Sequence, residues 1–67
     1  REAAIMDRLR SGDRTIPDMV RTIYRDTDPR LHGAAGLSLL AHLEDLVARS
    51  CVTSDAEVSL DASYFPA

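Results

Sequence analysis

Residues 24–46 read YRDTDPRLHGAAGLSLLAHLEDL, and their spacing decides the fold. Asp28-Pro29 is a helix start: an aspartate that accepts from the first free amides, then a proline where a missing N–H does no harm. From Pro29 a helix is expected to run to about Ser50. With Leu39 as origin and 100° per residue, His32 and Leu46 fall within about 20°, and Ala35 and Leu43 within about 40°. These five positions form the inward face, flanked by His42 and Val47. Gly33 and Gly36 each lower helix propensity by about 1 kcal/mol relative to Ala, so a separate short helix or 3-10 turn is expected at the start.

Upstream, Ile16, Met19, Val20, Ile23 and Tyr24 recur at offsets of 0, 3, 4, 7 and 8, the stripe of an amphipathic helix. Thr15 is its N-cap, Asp18 stands where a capping box closes, and Pro17 sits in the first turn. Asp26-Thr27-Asp28 breaks this second helix. A first helix is expected from Glu2 to Arg10, with Ile5, Met6 and Leu9 inward and Arg8 and Arg10 outward. Ser11-Gly12-Asp13 ends it, Gly12 tolerating positive φ. Downstream, Cys51-Val52-Thr53 and Glu57-Val58-Ser59-Leu60 read as hairpin strands around Ser54-Asp55-Ala56. Ser63-Tyr64-Phe65 extends the pairing and Pro66 ends it. The expected fold class is mainly α with a small β-hairpin, a winged helix-turn-helix of three helices plus wing, occupying 1–67 as one domain.

A chain of 67 residues buries only about 60% of its unfolded surface, so the domain is small and marginal. No stretch is long enough to cross a membrane. REAAIMDRLR follows no capping residue and carries no signal pattern, and it reads as a helix entered partway, in a piece of a longer protein. Cys51 is the single cysteine, so no internal disulfide forms and a reducing, cytoplasmic setting is expected. The net charge is −3 and every basic side chain is arginine. Tyr24, Tyr64 and Phe65 are the only aromatics, which leaves little on which to stack nucleobases.

The chemistry-bearing residues argue against catalysis in this segment. His32 and His42 lie about 80° and about 15 Å apart on one helix, too far to share a zinc ion. Both are expected to be structural, His32 in the core stripe bonded to a backbone carbonyl and His42 at its edge. Cys51 has no base beside it in sequence. Gly12, Gly33 and Gly36 lack the spacing of a phosphate-binding loop. No cofactor or metal is expected here.

Nucleic-acid binding is the serious alternative for this architecture, because a reading helix presents basic or amide side chains outward. The outward line of helix three is Gly33, Ala34, Leu37, Ala41, Glu44 and Ala48, with Arg30 and Arg49 only at its ends. The wing, Ser54-Asp55-Ala56-Glu57, is acidic and repels phosphate. Arg8, Arg10, Arg14, Arg21 and Arg25 form at most a weak patch elsewhere. A face of small residues with Leu37 and Leu40 as apolar anchors instead favours protein contact, against the rest of a parent protein or a second copy. The expected docking face is Leu37, Leu40, Ala41 and Glu44. The remaining readings are a fragment of a nucleic-acid-binding regulator and a homodimerisation module.

The run Ile16-Pro17-Asp18-Met19-Val20-Arg21-Thr22-Ile23-Tyr24, then Asp28-Pro29-Arg30-Leu31-His32, Ala35, and Leu39-Leu40-Ala41-His42-Leu43-Glu44-Asp45-Leu46, resembles the β-lactamase-associated winged-helix domain. The resemblance covers Arg1 to about Val52. It implies the C-terminal domain of a metallo-β-lactamase-fold hydrolase, packed on its own catalytic domain and shaping substrate access. Zinc and its ligands are then implied in that catalytic domain, and no ligand motif is present in this segment. Where the family has Glu-Gly after the third helix, this chain has Ser50-Cys51, which demands another left-handed residue or a different exit.

Overall fold

The computed structural model describes residues 1–67 and contains three helices and a two-stranded antiparallel sheet. Helix α1 spans Glu2–Arg10, α2 Ile16–Ile23 and α3 His32–Ala48, with a 3-10 turn over Pro29–Leu31 before α3. Strands β1, Val52–Ser54, and β2, Tyr64–Pro66, follow. No helix is long and apolar enough to cross a membrane.

Each boundary has a local cause. Gly12, at φ 109°, closes α1: the Gly12 and Asp13 amides donate to the Leu9 and Arg8 carbonyls at 3.1 and 3.0 Å. The Thr15 hydroxyl accepts from the Asp18 amide at 3.3 Å and caps α2. The reciprocal half of a capping box does not form, because the Asp18 carboxylate is held by Arg21. Asp28 accepts from the Arg30 amide at 2.9 Å and starts the 3-10 turn. At the far end α3 stops at Ala48, two residues before Ser50. Ser50 itself adopts φ 61°, and the Ser50 and Cys51 amides donate to Val47 and Leu46. The exit that the missing glycine puts in question is made by a serine in the left-handed region.

The hairpin departs from expectation. Its second strand is not Glu57–Leu60 but Tyr64–Pro66, in the register Val52↔Pro66, Thr53↔Phe65 and Ser54↔Tyr64. Pro66 lies within the pairing instead of ending it. The cause is Tyr64, whose ring is fully buried and whose phenol donates to the Ser59 carbonyl at 2.6 Å and accepts from its amide at 3.0 Å. On its other side β2 reaches the α1–α2 connection: the Tyr64 amide donates to Arg14 at 2.7 Å and Thr15 bridges Ser63. β2 thus pairs with β1 on one side and is tied to the α1–α2 connection on the other. One core joins all elements: Ile5 and Leu9 from α1, Ile16, Met19 and Val20 from α2, Ala35, Leu39, Leu43 and Leu46 from α3, then Val52, Ala62 and Tyr64.

Candidate docking surface

Helix α3 splits cleanly into two faces. Ala35, Gly36, Leu39, Leu43 and Leu46 are buried, whereas Gly33, Ala34, Leu37, Ala41, Glu44 and Ala48 are all exposed. Leu37 is 57% exposed. Leu40 does not belong with it. Standing about 100° from Leu39, on the flank of the helix, it is half-buried and packs against the core. The open face is therefore Leu37, Ala41 and Glu44 without Leu40.

His32 is half-buried rather than a core residue. Its Nε2 lies 3.2 Å from both the Tyr24 and the Thr27 carbonyl oxygens, so the ring ties the end of α2 to the start of α3. His42 is half-buried without a hydrogen-bond partner. Beside His32 a groove of about 340 Å³ opens between α2 and α3, walled by Ile16, Pro17, Val20, Gly33 and Leu60. Gly36 lies in it: a Cβ there would stand 3.4 Å from Ile16 Cγ2 and 3.9 Å from Leu60 Cδ2. A methyl group at this position would therefore make ordinary contact with the start of α2 and the wing loop.

The arginines are mostly occupied internally. Arg8 holds Asp13 at 2.9 Å, Arg30 holds Asp28 at 2.7 Å, and Arg21 holds Asp18. Arg49 reaches both Glu2 at 2.7 Å and Asp45 at 2.8 Å, joining the end of α3 to the start of α1. These bonds raise the Arg8, Arg30 and Arg49 guanidinium pKa values; the Arg8 hydrogen bond holds the Asp13 carboxyl below its ordinary range, and Arg30 does the same to Asp28. Arg14 donates to the Leu9 and Asp13 carbonyls and lies over the Phe65 ring, and Arg1 lies over Tyr24. Of the five arginines expected in a basic patch, only Arg10 and Arg25 remain without a partner. In the wing, Asp55, Glu57 and Asp61 have no basic side chain within ion-pair distance.

Chemically the surface can offer apolar contact and negative charge. Cys51 is half-buried, with its thiol directed toward the Arg49 carbonyl at 3.8 Å and no base against it. No group of three or more His, Cys, Asp or Glu side chains is placed to hold a metal ion. Sequence reasoning missed the Tyr64–Ser59 clamp, which fixes the wing loop. Its one available signal was a tyrosine two residues before a proline, at the end of an acidic loop.

No curated protein and no solved structure matches the chain significantly. A family profile does: that of the beta-lactamase associated winged helix domain matches residues 15–60, well over half of the 67. The match begins at the cap of α2, so α1 lies outside it although Ile5 and Leu9 complete the same core. It ends at Leu60, before β2. The motifs it encloses, from Ile16 through Leu46, are those whose spacing sets α2, the 3-10 turn and α3. With the winged-helix architecture and this match together, the chain belongs to the beta-lactamase associated winged helix domain family.

Proposed function

We propose that this domain is a non-catalytic accessory module that packs on a metallo-β-lactamase-fold catalytic domain of the same protein and shapes substrate access to it. The observation that carries the reading is the face of α3 opposite the core: Leu37 is 57% exposed, its neighbours are Gly33, Ala34 and Ala41, and no basic side chain interrupts them. Small residues let another surface approach closely while one large apolar side chain supplies an anchor. The zinc of such an enzyme belongs to the catalytic domain, and the hydrolase as a whole works in the cytoplasm.

The test is association in trans between the 67-residue domain and the separately produced catalytic domain. Leu37→Arg places a charge on the exposed side of α3, away from the core, so the fold stays intact. Weakening of at least about tenfold is expected, corresponding to 1.4 kcal/mol or more. Unchanged association by Leu37→Arg excludes this face.

A further inference from the structure

The exposed side of α3 is polarised along its length. Gly33, Leu37, Ala41, Glu44 and Ala48 lie within about 40° of Leu37 around the helix, and all five are exposed. Leu37 is the one large apolar side chain of this stripe and Glu44 its one charge. Seven residues separate them, which sets them about 10 Å apart along the axis. Glu44 has no ion-pair partner, and Arg30 and Arg49, at the two ends of the helix, are held by Asp28 and by Glu2 and Asp45. No basic side chain occupies the last turn of α3, whose free carbonyls are the negative pole of the helix dipole. Asp55 of the wing adds to the same field: burial raises the Tyr64 phenol pKa, and the charges of Glu44 and Asp55 both raise it further. Glu44 therefore stands in negative surroundings without an arginine of its own chain beside it.

We propose that the catalytic-domain surface receiving this face carries an apolar pocket for Leu37 and, about 10 Å from it, an arginine or lysine that pairs with Glu44. This rests on the docking reading above and adds to it the charge of the partner and the direction in which α3 lies on it. An apolar knob alone fits a pocket in many orientations. A second contact of fixed sign at a fixed spacing selects one of them.

The test follows association of the 67-residue chain with the separately produced catalytic domain by biolayer interferometry. Salt is raised from about 0.01 to about 1 M, over which the Debye length falls from about 30 to about 3 Å. The wild-type association rate should fall across this range. Glu44→Gln, at an exposed position without an ion pair, should lower the rate constant about three- to tenfold at low salt and remove most of its salt dependence, because a charge in an interface rim acts mainly on encounter. Glu44→Arg should weaken association further, and changing one catalytic-domain arginine or lysine to glutamate should restore it. Asp7→Asn removes an equal charge from an exposed position on α1, which packs on α2 and β2, and should change nothing. An unchanged rate and salt dependence in Glu44→Gln, while Leu37→Arg still weakens binding, overturns this proposal and leaves the docking face standing. If Leu37→Arg has no effect either, both fall. Failure of every reversal to restore Glu44→Arg overturns the pairing. So does an Asp7→Asn effect equal to that of Glu44→Gln, because the attraction is then one of net charge.

Discussion

Replacing Tyr64 by Phe removes one oxygen and leaves a fully buried ring in place. That oxygen bonds both the amide and the carbonyl of Ser59, at 3.0 and 2.6 Å, in a half-buried setting. Orphaning buried polar groups costs about 1–3 kcal/mol, and since water reaches Ser59 in part, about 2 kcal/mol is expected for the pair. In a domain of this size each kcal/mol moves Tm by about 4–8 °C, so Tyr64→Phe should melt about 8–16 °C lower. Circular dichroism melts at neutral pH measure this, and amide exchange should show the loss concentrated in residues 55–63. Burial raises the Tyr64 phenol pKa above its ordinary 10.0, opposed by the Ser59 hydrogen bond. A raised value means the stabilisation is fully present below pH 10.0 and is lost as pH rises through the folded-state value. The gap between wild type and Tyr64→Phe should therefore close in alkali. A Tm within about 2 °C of wild type at neutral pH would refute the view that this hydroxyl holds the wing.

Other consequences are as direct. Gly33→Ala meets nothing within 4 Å and Gly36→Ala meets Ile16 at ordinary contact distance; both should stabilise the isolated domain by about 0.5–1 kcal/mol in urea titrations, through helix propensity. Asp13 titrates below its ordinary value because Arg8 bonds it; that contribution is present above pH 3.8 and is lost as pH falls through the folded value, so Asp13→Asn should flatten the acid side of the stability curve. Duplex DNA should show no salt-dependent binding by fluorescence anisotropy even at low ionic strength, since four arginines are ion-paired and two more lie over rings.

The second and third helices were legible because each combines a stripe with a capping residue at its approach, and α1 from its stripe alone. Thr15 and Asp28 cap where their sequence context demands, and the offsets of Ile16, Met19 and Val20 place the buried face of α2 without knowledge of its neighbours. Leu40 misleads because a flank position is covered or open depending on what packs beside the helix, which a helical projection does not contain. The wing was legible only as a wing. Glu57–Leu60 has more strand-like composition than Tyr64–Pro66, yet three-residue strands carry little pattern of their own. Their register follows from burying the largest available ring, and from a pairing with Arg14 that is remote in sequence. The Leu37 face was legible for the reason Leu40 was not: about 160° from Leu39, it is open in any packing of this core.

The bond from Tyr64 to Arg14 also orders events in time. The contacts among α1, α2 and α3 close short loops, and such turns and helices form quickly. Seating β2 against the α1–α2 connection closes a loop of roughly fifty residues, an entropic cost on the order of 3 kcal/mol that is recovered only when the Tyr64 ring is in place. The helical part of the folding nucleus is thus local and the sheet completes it. Thr15, which caps a helix and bridges the last strand, is where the fast and slow stages meet.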